Sequence, residues 1–236
     1  MIKIKPIVIL TCILCILFVC TTVFAEKQEW IDKTFDFKKT KRILIYPIQV
    51  PDAIKNGIIE KQIEETYWEN AKLKNVELIT FDKLIELIKN DTGVDLQELH
   101  KKDQKLSLEF LKTNLPNYVD LELHANIVAY GTGSEYKEGF SYSTTETQTS
   151  YVYGTNGSAT VQTPVNRTHY VPGGNALVLY AGIRWDVYDS KTNKPVFSRV
   201  DNRSKMPTRF ESSNPKNMYE RILTAFFKDL NSKVGS

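Results

Sequence analysis

Two stretches of period-two alternation constrain this chain more than any other feature. Val119, Leu121, Leu123, Ala125, Ile127 and Ala129 alternate with Asp120, Glu122, His124 and Asn126. Leu177, Leu179, Ala181, Ile183, Trp185 and Val187 alternate with Tyr180, Arg184, Asp186 and Tyr188. Successive side chains of a strand point to opposite faces, so each stretch reads as a long strand with one face on a core and the other at least partly wet. Asp189 to Asn193 reads as a turn, and Pro195 to Val200 as the returning hairpin strand.

Upstream the pattern changes. Arg42 to Ile48 is a short apolar run that fits a strand buried on both faces and ending near Pro47, which has no N–H for the ladder. Pro51 and Asp52 open a helix with Ile54, Ile58, Ile59, Ile63 and Tyr67 on one stripe. Val76 to Ile79 is a second short strand. Thr80 caps the next helix, whose Leu84, Ile85 and Ile88 face inward and which Gly93 stops. Asp95 and Glu98 resemble a capping box for a helix running toward Leu111, with Leu99, Leu106 and Phe110 among its buried positions and Pro116 at its exit. Asn214 caps a final helix with Pro215 at its first position, and Met218, Ile222, Phe226 and Leu230 recur at i+4 steps. This order predicts an α/β (α+β) fold, a single domain with a mixed β-sheet and helices packed on it.

The N-terminus reads as a secretory signal peptide over residues 1–25. Lys3 and Lys5 precede an apolar run from Ile7 to about Cys20, and Val23 and Ala25 sit at the −3 and −1 positions of a cleavage site. Two alternatives stand beside cleavage. Ile7 to Phe24 is about long enough to remain as a membrane anchor. Leu17 to Cys20 approximates a lipidation box, with Val19 where a small residue normally stands. Cys12, Cys15 and Cys20 all lie in this segment, so residues 26–236 hold no thiol for a disulfide, a nucleophile or a metal. Cleavage removes two lysines and no acid, leaving charge nearly balanced and nucleic acid excluded as a partner. The expected location is exported, periplasmic or extracellular. The charged stretch Glu26 to Lys41 reads as a leader that docks Trp30, Phe35 and Phe37 onto the domain.

Residues 131–175 join the two long strands and contain no Leu, Ile or Met, while 26 of the 45 are Thr, Gly, Ser or Tyr. A loop this long without core formers is either a flexible excursion or a working part. Segments 139–144 and 150–153 keep β-propensity, and Gly154 to Gly157 is a good turn, so the sharper expectation is a long polar β-hairpin that continues the strands. Tyr136, Tyr142, Tyr151, Tyr153 and Tyr170 are then the candidate binding residues, for an envelope protein, a cell-wall partner or a second copy of the chain.

Catalytic signatures are missing. There is no zinc-protease, nucleophile-elbow, Walker or dinucleotide motif, and no cofactor or metal site is expected. The expectation is a non-enzymatic protein. The alternative is a secreted hydrolase assembled from Glu122, His124, Arg184 and Asp186, which meet only if the two long strands are neighbours.

The chain also carries a family pattern: Lys41 to Ile48, then an amphipathic helix; a long strand ending at Gly131; the Tyr/Thr/Ser/Gly insert; Trp185 to Phe197; and a closing helix with Phe226 to Leu230. It resembles the bacterial envelope proteins that share the fold of the curli-secretion lipoprotein, the outer-membrane activators of penicillin-binding proteins and the N-terminal domain of the Tol propeller protein. Asp189 and Thr192 match their hairpin pattern, with Asn193 where glycine is usual. The resemblance covers most of residues 26–236. It implies a role in envelope assembly, secretion or protein contact, and transfers no catalytic residue.

Overall fold

A computed structural model describes residues 24–55, 57–154, 157–207 and 212–235, with backbone alone for 24, 146–154, 157–161 and 163. The fold is α+β. The elements are β1 (Phe24–Ile31), β2 (Arg42–Ile45), α1 (Gly57–Asn70), β3 (Glu77–Thr80), α2 (Phe81–Thr92), α3 (Leu96–Lys102), α4 (Gln104–Tyr118), β4 (Leu121–Lys137), β5 (Phe140–Gly154), β6 (Gly157–Val171), β7 (Gly174–Asp189), β8 (Pro195–Lys205) and α5 (Lys216–Lys233). They form two compact units, residues 133–178 and the remainder.

The larger unit is built on a six-stranded mixed sheet in the order β1-β8-β7-β4-β2-β3. β2 runs parallel to both β3 and β4, and β8 runs antiparallel to β7 and β1. The two long alternating strands are therefore neighbours. One sheet face carries Ile43, Ile45, Leu121, Leu123, Ile183, Trp185 and Val187 against Ile63 and Tyr67 of α1 and the apolar stripe of α5. On the opposite face Leu44 and Ile79 pack against α2, α3 and α4 through Leu84, Ile88, Leu96 and Leu115. Ile43, Leu44 and Ile45 are each at most 1% exposed, so β2 is buried on both faces, as its unbroken apolar run requires.

Trp185 organises the α1/α5 side. Its ring stacks on Phe226, with Tyr67 and Phe227 around it. Burying an aromatic side chain of this size stabilises by about 2–3 kcal/mol before packing terms are added. Toward β8 and the β1 edge the same face turns ionic. Arg199, 2% exposed, donates to Asp229 at 2.8 Å and to Asp201 at 3.3 Å, while Arg203 holds Asp201 through two bonds of 2.9 Å. Removing one partner from such a buried set costs about 3–5 kcal/mol, because the charge left behind stays desolvated. Burial raises the Asp229 pKa, but hydrogen bonds from Lys27 and Arg199 outweigh it and hold the group below its ordinary value.

Several local expectations hold. Thr80 accepts from the Lys83 N–H, Asp95 accepts from the N–H groups of Gln97 and Glu98, and Gly93 ends α2 at φ 72°. Thr192 donates to Asp189 at 2.6 Å in the β7–β8 turn, and Asn193 takes φ 53°, a left-handed position that asparagine tolerates.

Others need correction. Residues 24–31 are not a docked leader but an edge strand, paired with β8 from Phe24↔Ser204 to Ile31↔Phe197; Trp30 is left 51% exposed, while Phe37 is buried. Lys27 and Glu29 can stand in this strand because they join the Asp229 and Arg199 ion cluster. The first helix begins at Gly57 after a 3₁₀ turn at Asp52–Ile54, which leaves Ile58 83% exposed. The helix from Leu96 breaks at Asp103, which ends α3 and caps α4 by accepting from the Leu106 N–H; this turns Leu106 outward. α4 also runs through Pro116 to Tyr118. Asn214 accepts from the Lys216 N–H, one position away from the expected cap, with Pro215 as the capping residue.

Candidate functional site

The insert forms the second unit. β5 and β6 are a two-stranded antiparallel sheet in continuous register from Phe140↔Val171 to Gly154↔Gly157. This is the expected hairpin; Thr155 and Asn156 of its turn lie outside the described residues. A Ser/Thr ladder links the strands, with Thr145 donating to Asn166 at 2.6 Å and Ser143 3.2 Å from Thr168.

The arm has an aromatic base. Tyr142 stacks on His169 across the strands at 5.0 Å, Phe140 lies 6.3 Å from Tyr142, and the His169 Nε2 is 2.9 Å from the Thr144 hydroxyl. Tyr136 and Tyr170 are 66% and 69% exposed. A Cβ on Gly173 would stand 2.6 Å from the Tyr136 hydroxyl, and one on Gly139 2.9 Å from the Tyr170 hydroxyl. The backbones of Gly139 and Gly173 also approach too closely for any side chain, which explains both glycines. Tyr136, Tyr142 and Tyr170 thus gather at the base. Tyr151 and Tyr153 take register positions opposite Thr160 and Ser158, and their side chains lie outside the described residues.

The alternative hydrolase residues share one face of the larger unit's sheet, opposite Trp185. Each is engaged. Tyr46 donates to Glu122 at 2.9 Å, and its ring stacks on His124 at 4.3 Å; Tyr188 meets the other side of His124 edge-on at 5.5 Å. Asp186 accepts from Arg184 Nε and from Ser198 Oγ, both at 2.8 Å. Burial pushes the His124 pKa down, against the opposing pull of Glu122 and Asp186. Burial, then the Glu122 charge and hydrogen bond, push the Tyr46 hydroxyl up. None of these four residues lines a described cleft. A nucleophile–base pair aimed at a substrate position is what the hydrolase reading needs. The arrangement is instead a strand-to-strand polar lattice with an aromatic clamp. Tyr46 and Ser198 were not legible as members of it, since strand order alone brings them to Glu122 and Asp186.

His100 lies on α3 beside an apolar groove with Ile85 and Leu111. Among the described residues no group of three His, Asp or Glu could hold a metal ion, and no helix is long and apolar enough to cross a membrane.

No family model matches the chain, and no curated protein does. Solved structures are similar to it. The PelC dodecamer of Paraburkholderia phytofirmans has a TM-score of 0.40 at 7% identity, covering 90% of this chain and 100% of that one. A lipoprotein of Neisseria meningitidis has a TM-score of 0.32 at 13% identity, covering 81% and 99%. A hypothetical protein of Chlamydia trachomatis has a TM-score of 0.37 at 11% identity, covering 82% and 96%.

Proposed function

We propose that this chain is an exported, non-enzymatic module of a bacterial cell envelope, acting by contact in envelope assembly or secretion through its arm. The N-terminal segment and the envelope-family resemblance support export. The observation that carries the contact role is the arm: among the described residues its two 15-residue strands pair only with each other. A two-stranded ribbon is marginal in water, and its outer N–H and C=O groups are open to a further strand. From Phe140 to Val171 the only fully charged residues are Glu146 and Arg167, so the charges that normally keep strand edges apart are scarce. The exposed Tyr136, Phe140 and Tyr170 add an amphipathic contact patch at the base. The partner is an envelope or cell-wall protein or a second copy of the chain.

The test is in-cell crosslinking of the full chain against a variant carrying Tyr136→Ser, Tyr142→Ser and Tyr170→Ser. The crosslinked species should disappear from the variant while thermal unfolding of the larger unit is unchanged. An unaltered crosslinking pattern would remove the arm from the function.

A further inference from the structure

The parallel part of the sheet holds a feature that the arm does not use. β2 lies between β4 and β3 and is parallel to both. The chain leaving β2 becomes α1, which packs on the Trp185 face; the chain leaving β3 becomes α2, which packs on the Leu44 face. Where helices that follow adjacent parallel strands go to opposite faces, they part beyond the carboxyl ends and leave a crevice. In open α/β sheets this is where ligands settle.

An open cleft of about 570 Å³ occupies this position. Tyr46 comes from the end of β2, Glu64 and Trp68 from α1, and Thr80, Phe81 and Asp82 from the start of α2. The walls combine two features. Three are aromatic: Tyr46 and Phe81 lie 6.0 Å apart, and Trp68 is 37% exposed, steadied edge-on by Tyr67 at 5.1 Å. Two are carboxylates, and among the described residues no Lys or Arg lines the cleft. The nearby Lys83 is held by Glu77 at 2.6 Å. Among the described residues, no ion pair or hydrogen bond engages the side chain of Glu64 or Asp82.

We propose that this crevice binds a small organic ammonium ion. Aromatic faces attract a cation through their quadrupoles, and the two carboxylates supply the compensating charge. An anion, the usual guest at a helix N-terminus, is disfavoured. The first turn of α2 already has the Thr80 cap and the Asp82 charge, and Glu64 repels a second negative group. Tyr46 ties the crevice to the sheet, since its hydroxyl is fixed on Glu122 and its ring on His124. That fixation prepares one wall before any ligand arrives.

The test is calorimetric titration of the full chain with choline, with n-butylammonium and with 3,3-dimethyl-1-butanol, the uncharged isostere of choline. A saturable response to either ammonium, about tenfold stronger than to the neutral alcohol, is expected. Choline alone would identify an alkylated headgroup; n-butylammonium alone, a primary amine. Trp68→Leu should abolish the response. Because Trp68 packs on Tyr67, the exposed Asp82→Asn is the second variant: it should weaken binding several-fold while the chain keeps a single cooperative unfolding transition. No saturable response to either ammonium, responses to both ammonium ions no stronger than to the alcohol, or binding that survives both variants would overturn the proposal.

Discussion

Ala25 lies opposite Arg203 in the antiparallel ladder between β1 and β8. The cleavage position expected from the sequence therefore falls inside a paired edge strand. A peptidase needs an extended, unpaired segment, so any cleavage after Ala25 must come before β1 docks on β8, or wait until the strand frays. A full-length precursor folded before exposure to signal peptidase should be cut about tenfold more slowly than the same chain presented unfolded. A time course on gels checks this, and equal rates would show that β1 does not hold the site.

The Trp185–Phe226 stack gives a core prediction. The ring centroids are 3.7 Å apart and the planes within 2°. Phe226→Ala should cost about 3–5 kcal/mol in urea unfolding, because a fully surrounded cavity is left behind. Trp185→Phe should cost less than about 2 kcal/mol. It keeps an aromatic on Phe226 and removes an indole N–H that has no hydrogen-bond partner in the core.

Much of this architecture is written in local pattern. β4 and β7 follow from alternation, β2 from an unbroken apolar run, and the ends of α2 from Thr80 and Gly93. β1 was hidden because Glu26, Lys27 and Glu29 look like a solvated leader; Lys27 and Glu29 are accommodated because Arg199 and Asp229, far along the chain, complete their ion cluster. The helix break at Asp103 was hidden because a capping aspartate and a mid-helix aspartate are the same letter until the backbone turns. Of the candidate sites, the arm was legible from its missing Leu, Ile and Met. The crevice was not: Tyr46, Trp68 and Phe81 read as separate amphipathic positions, and only the crossing of α1 and α2 to opposite faces brings them together.

His124 gives a pH prediction. Tyr46 and Tyr188 enclose its ring, with Glu122 and Asp186 as the nearby acids. Burial lowers its folded pKa below the ordinary value, so the unfolded chain takes up a proton more readily. Above about pH 6.5 both states are neutral and the contribution to stability is fully present. As pH falls below that value the unfolded state gains the proton first and stability is lost. Melting temperatures measured from pH 7 to pH 5 should fall more steeply for the native chain than for His124→Gln. Parallel profiles would show that His124 does not titrate differently on unfolding.

Gly139 and Gly173 give the last prediction, confined to the arm. A Cβ on Gly139 would stand 2.7 Å from the Gly173 nitrogen and 2.8 Å from the Val171 carbonyl oxygen, both backbone atoms that no rotamer change can move aside. Gly139→Ala must therefore push the strands apart at their base, where Phe140 faces Val171. A two-stranded ribbon has no second layer to absorb such a shift. Amide hydrogen exchange along Phe140–Thr145 and Asn166–Val171 should quicken about tenfold, which corresponds to roughly 1.4 kcal/mol of local opening. Gly174→Ala, where a Cβ meets nothing within 4 Å, is the matched control and should leave the exchange unchanged. If Gly139→Ala exchanges like the control, the close approach of Gly139 and Gly173 does not hold the arm together.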